Sequence, residues 1–145
     1  MPEPAIDWTR LQTRASHQAA SLEAARARAL NELAAWMEAA TRRLTGPVPL
    51  DEKLAWSLKE AAARAYLDEA CTPEQLALLS GEAQVTGEDP GDLALDILLN
   101  ADSYRAAIAM LTGLRRKTAL AIVTATDVEE MAAHLVALAL PFTEG

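Results

Sequence analysis

The chain has 145 residues, enough for one domain with a real core. Hydrophobic residues make up 51% but aromatics only 4%, so alanine supplies much of the apolar content. Alanine is the best helix former and a poor core filler, which predicts abundant helix held by close, thin interfaces. A formal net charge of −8 with a pI of about 4.7 argues against nucleic acid as the main partner, because phosphate binding needs a basic face.

Met1 to Ile6 contains Pro2 and Pro4 and reads as an extended lead-in. Asp7 is placed to cap a helix starting at Trp8. No Pro or Gly interrupts the chain from there to Leu44, which predicts one helix of roughly 37 residues, about 55 Å long. Trp8, Leu11, Ala15, Leu22, Ala25 and Ala29 make a first apolar stripe, with Gln18 in its gap. Leu30, Leu33, Met37, Ala40 and Leu44 make a second, one residue out of step. A seam this polar is marginal for a lone helix pair, so the helix is expected to pack in a homo-oligomer or on another protein. The alternative is that it folds back on its own chain. The expected interface residues are Trp8, Leu11, Leu22, Leu30, Leu33, Met37 and Leu44.

Gly46, Pro47 and Pro49 stop this helix. The expected division is therefore an N-terminal arm, residues 1–45, and a C-terminal helical head, residues 46–145. Charge divides similarly. Residues 1–50 hold six arginines (10, 14, 26, 28, 42, 43) against five acids (Glu3, Asp7, Glu23, Glu32, Glu38), and the rest of the chain is strongly acidic.

Helix two is predicted from Asp51 to about Ala70. Leu50, Leu54, Leu58, Ala61 and Ala65 line one of its faces, beside Trp56, Ala63 and Leu67; a stripe this wide suits burial between two neighbours. Trp36 and Trp56 read as core anchors. Thr72-Pro73-Glu74-Gln75 is a capping box opening a short helix that Gly87 ends. Asp89-Pro90 starts helix four, whose inner face is Leu93, Ile97, Ala101, Tyr104, Ile108, Leu111 and Leu114, with Gly113 marking a kink or a close contact. Thr126 to Glu129 reads as a second capping box, followed by the stripe Val128, Met131, Leu135 and Leu138 up to Pro141. Phe142 to Gly145 reads as a loose tail. No strand pattern survives, so the expected class is all-α: a long, coiled-coil-like N-terminal helix followed by a compact bundle of about four helices.

No catalytic, metal or cofactor constellation stands out. His17 and His134 lack partners at zinc spacing. Asp89, Asp92 and Asp96 lack the alternating ligands and closing glutamate of a calcium loop and read as helix-capping acids. Cys71 is the single cysteine, has no neighbouring histidine, and permits no intrachain disulfide, which favours synthesis in a cytosol. Arg115-Arg116-Lys117, with Arg105, is the one basic patch of the head and reads as a salt-bridge face or intersubunit contact. The first 20 residues lack the apolar core of a signal peptide. No apolar run is long enough for a membrane span. The expected protein is not an enzyme and takes no cofactor and no small-molecule substrate.

Two segments carry a resemblance. Trp36 to Leu67 ends a helix in arginines, turns through Gly-Pro-x-Pro and continues in W-x-x-K-E-A-A-A-R-A-Y. Val85 to Ile122 has a TGE turn, a D-L-x-x-x-I-L-x-N-A-D-x-Y helix and a G-L-R-R-K continuation. Together, over roughly Leu30 to Leu138, they resemble small alanine-rich helical proteins encoded in the tail modules of phages and prophages, beside tail-fibre and baseplate proteins. The shared features are turns and packing residues, so no active-site residue carries over. The resemblance implies a tail-fibre, tail-tip or fibre-attachment subunit of the virion, made in the host cytoplasm, that binds itself (a trimer favoured) and other tail proteins. The alternatives are a tail assembly chaperone absent from the mature particle, or a generic helical interaction module.

Overall fold

The computed structural model describes Met1 and residues 4–139. Those residues form five helices and no strand: α1 (Trp8–Thr45), α2 (Leu50–Leu67), α3 (Pro73–Thr86), α4 (Pro90–Thr124) and α5 (Val128–Ala139). The all-α class holds, with a long N-terminal helix. The loose tail expected at Phe142 to Gly145 lies outside the described residues, as does Pro141.

Local chemistry sets the helix ends. The Asp7 carboxylate accepts from the Arg10 N–H at 3.2 Å and opens α1. Gly46 closes α1 with φ at +68°, and Arg42 and Arg43 sit in the last turn, where the helix dipole favours cations. Thr72 and Gln75 form a reciprocal capping box, at 3.2 and 3.0 Å, at the start of α3. The Asp89 carboxylate accepts from the N–H groups of Gly91 and Asp92, which accounts for this acid as a cap.

Two local expectations shift. The box at α5 slides by one residue: Asp127 caps the Glu130 N–H at 2.8 Å, and Glu130 reaches back to the Thr126 N–H at 3.0 Å. Val128, the first residue of α5, is consequently exposed. Gly113 is no close contact, because α4 runs through it and a Cβ there would meet nothing within 4 Å.

Two compact units divide the chain at residues 39/40 and 111/112, whereas the end of α1 falls at residue 45. The first is built from the described residues of Met1–Ala39 and Thr112–Gly145. Its core joins Ala25, Ala29 and Leu33 of α1 to Ile122 at the end of α4, Ala125, and Met131 and Leu138 of α5, with Trp36 packed alongside. The small alanines let the α1 backbone approach its neighbours closely, and Leu33 fills the space between them.

The second unit is Ala40–Leu111. Ala62 of α2, Leu79 and Ala83 of α3 and Leu93 of α4 are buried together, with Tyr66 and Ile97 against them. Trp56 meets Tyr104 edge-on at 5.4 Å between ring centroids, a favourable arrangement of aromatic quadrupoles. The Lys59 ammonium bridges α2 to Glu82 of α3 at 2.7 Å.

Candidate interaction surface

The middle of α1 is spent on its own chain. Leu33 is 2% exposed in the core of the first unit, so this residue, expected at an intermolecular seam, is core. Leu22 and Leu30 are half-buried against the same core, and Met37 is half-buried as well. The fold-back alternative therefore holds for this stretch. Both expected stripes contribute to coverage: Ala25 and Ala29 come from the first, Leu33 from the second. A helix face wider than one strict seam contains both sets.

The beginning of α1 is different. Every residue from Trp8 to Ser21 is exposed, about 20 Å of helix. Trp8 remains 68% and Leu11 49% exposed. At 100° per residue, Trp8, Leu11, Ala15, Ala19 and Leu22 share a face with Ala29 and Leu33. The bare stripe is thus the continuation of a face that becomes core further along the same helix. Leu44, at the other end, is 37% exposed.

A second apolar surface lies on α2, where the expected burial fails. Leu50, Leu54 and Leu58 are 69%, 66% and 65% exposed. The helix turns the opposite way, burying Ala62 and Ala63 and half-burying Trp56, Lys59 and Tyr66. The physical reason is the ladder of specific contacts on that side: the Trp56 ring on Tyr104, the Lys59–Glu82 bridge, and alanines small enough for α3 to approach.

Charged groups between α2 and α4 satisfy one another. The Arg64 guanidinium donates to Glu60 at 3.1 Å and lies 3.5 Å from Asp102, while Arg105 donates to Asp102 at 3.0 Å and to Glu60. The hydrogen bond from Arg105, and then that from Arg64, holds the Glu60 carboxyl below its ordinary value. The same bond raises the Arg105 guanidinium. Sequence reasoning grouped Arg105 with Arg115-Arg116-Lys117; instead Arg105 is committed to this cluster, and residues 115–117 are exposed. The i, i+4 pair Glu60–Arg64 was visible in the sequence, but the Glu60–Arg105 pair, 45 residues apart, has no local signature.

Arg26 is a residue that sequence reasoning missed. Its guanidinium donates to the carbonyls of Ile122 at 3.4 Å and Ala125 at 3.2 Å, and pairs with Glu23. It supplies positive charge and donors where α4 ends and its carbonyls lack helical partners. Only proximity across 96 and 99 residues of sequence reveals this role.

An open depression of about 380 Å³ is lined by Tyr66, Glu69, Cys71 and Leu76, and the Cys71 thiol donates to the Ala62 carbonyl at 3.6 Å. His17 is exposed and His134 half-buried. Among the described residues no cluster of three His, Cys, Asp or Glu side chains is placed to hold a metal. No helix among them is long and apolar enough to cross a membrane. The chain matches no protein-family model, no curated protein and no solved structure.

Proposed function

We propose that this chain is a non-catalytic helical assembly subunit of a phage or prophage tail, joining copies of itself and neighbouring tail proteins through α1. One observation carries this assignment: the bare Trp8–Leu11–Ala15 stripe extends a face that is core in the turns that follow. Apolar side chains on an unpacked helix that protrudes for about four turns gain stability only when another surface covers them. The ion cluster of Glu60, Arg64, Asp102 and Arg105 supports a structural role, since each of these groups is paired with another across α2 and α4. The tail context is read from the resemblance carried by the segments Trp36 to Leu67 and Val85 to Ile122, and on that reading the protein belongs to the virion. Particles purified from a producing strain and analysed by mass spectrometry test it: the chain is expected among the particle proteins at a fixed ratio to tail components.

A second assignment, an assembly chaperone that leaves before maturation, is favoured by the exposed Leu50–Leu54–Leu58 face, which offers a client a separate apolar surface. It predicts that the chain co-purifies with an immature tail protein and is missing from finished particles.

A further inference from the structure

We propose that α4 pairs antiparallel with α4 of a second copy, about a twofold axis near Met110. This contact is separate from the arm and goes beyond the assembly reading above. Its face is the one that α4 turns to solvent: Leu99, Asp102, Ala106, Gly113, Lys117 and Leu120 are all exposed, with exposed Met110 at the middle. At 100° per residue they fall in one stripe about 80° wide along an unbroken helix.

The order of residues in that stripe selects both the occupant and the register. Setting Leu99 opposite Leu120 of the second copy also sets Asp102 opposite its Lys117 and Ala106 opposite its Gly113. Large apolar meets large apolar, carboxylate meets ammonium, and small meets small. A twofold contact is isologous, so each match occurs twice. The three- and four-residue spacing of these positions is that of the facing rows of paired helices.

The competing alignments lose these matches. Sliding one copy by a heptad sets Leu99 against Gly113 and Asp102 against Met110. Parallel pairing in register sets Asp102 against Asp102 and Lys117 against Lys117, both unfavourable like-charge contacts. The charges that favour the antiparallel pair lie within the stripe and have capacity to spare. Lys117 forms no ion pair among the described residues. Arg105 and Arg64 both approach Asp102 at Oδ1, at 3.0 and 3.5 Å, which leaves Oδ2 to accept from a second chain.

Gly113 is the independent observation. It sits in the interior of α4, where glycine is the least favourable residue after proline. A Cβ there would meet nothing within 4 Å, so no neighbour in its own chain requires the missing side chain. Against Ala106 of a second copy, the glycine lets the two backbones close to the short end of the usual interhelical range of about 8–10 Å.

Sedimentation equilibrium of the full chain carrying Leu11→Asp, which removes the arm's contribution, reads this contact alone, with circular dichroism melts at low concentration as the folding control. A concentration-dependent dimer is expected. Adding Gly113→Leu should weaken it by more than about tenfold through overpacking at the closest approach. The melting temperature should hold or rise, because leucine is the better helix former. Asp102→Lys and Lys117→Asp should each weaken pairing by about tenfold. Their equimolar mixture should regain it, because the heterodimer restores an opposite charge at both positions. A Leu11→Asp chain that is monomeric at high micromolar concentration overturns this proposal, and so does a Gly113→Leu chain that pairs as its parent does, or a mixture no better than its components. The arm reading stands or falls separately, on whether Leu11→Asp lowers the mass of the wild-type assembly.

Discussion

The first four turns of α1 and the four that follow carry the same apolar face, yet one is bare and the other is core. Trp8 and Leu11 stand in solvent, while Ala25, Ala29 and Leu33 are enclosed by Ile122, Ala125, Met131 and Leu138. Both halves are free of Gly and Pro and present that face, although residues 8–21 hold three alanines against six in residues 22–35. The difference is coverage. Periodicity tells which side of a helix seeks burial, and only the rest of the chain decides how much of that side is reached.

The sharpest way to break this contrast is to truncate one residue in each half. Leu33→Ala should lower unfolding free energy by about 3 kcal/mol, from lost transfer energy and the cavity left behind. Leu11→Ala should cost under about 0.5 kcal/mol in the dilute monomer, its effect appearing instead in self-association. Chemical denaturation of both variants at low concentration checks the pair. If Leu11→Ala proves as destabilising as Leu33→Ala, the two halves of the helix are equally packed.

Arg26 holds the covered half in place by binding the end of α4. Arg26→Met keeps the aliphatic stem and removes the donors to Ile122 and Ala125, so a loss of about 1–2 kcal/mol is expected. An unchanged melting curve would mean that water serves those carbonyls equally well.

Gains are expected where the backbone, rather than packing, sets the limit. Glu69 follows α2 with φ at +56°, a left-handed conformation that costs a non-glycine residue about 1 kcal/mol. Glu69→Gly should therefore raise stability by an amount of that order. Gly113 is a helix-interior glycine with open space at its Cβ position, so Gly113→Ala should add roughly 0.5–1 kcal/mol. A decrease in melting temperature in either variant would contradict the geometry described for that residue.

The smallest effect is a dependence on pH in the second unit. Glu60 has its carboxyl held below the ordinary 4.5 by Arg105 and Arg64. Its ionised form is therefore favoured by folding: the contribution is present above that value and fades as pH falls through and below it. Glu60→Gln should lose this small contribution at neutral pH and flatten this part of the acid limb of a stability-versus-pH curve, so that wild type and variant converge as pH falls.

Much of the fold was legible because helix punctuation is local. Asp7, Gly46, the Thr72–Gln75 box, Gly87 and Asp89 act within a few residues of themselves, and each does what its chemistry predicts. The α5 start was off by one because Thr126 and Asp127 are both good caps, each with a glutamate three residues on. Coverage was not legible. Leu50, Leu54 and Leu58 form the cleaner stripe on α2, but the helix turns toward Trp56–Tyr104 and Lys59–Glu82, contacts with residues 48 and 23 positions away. The same holds at Arg26, whose partners lie almost a hundred residues on.

The most direct test of an arm that needs a second chain is the mass of the full-length protein in solution, by sedimentation equilibrium from low to high micromolar concentration, beside the Leu11→Asp variant. The account predicts a concentration-dependent oligomer for the wild type and, for Leu11→Asp, a folded chain of lower mass with an unchanged melting temperature. A wild-type chain that stays monomeric across that range, or a Leu11→Asp chain that assembles as well as the wild type, would contradict it.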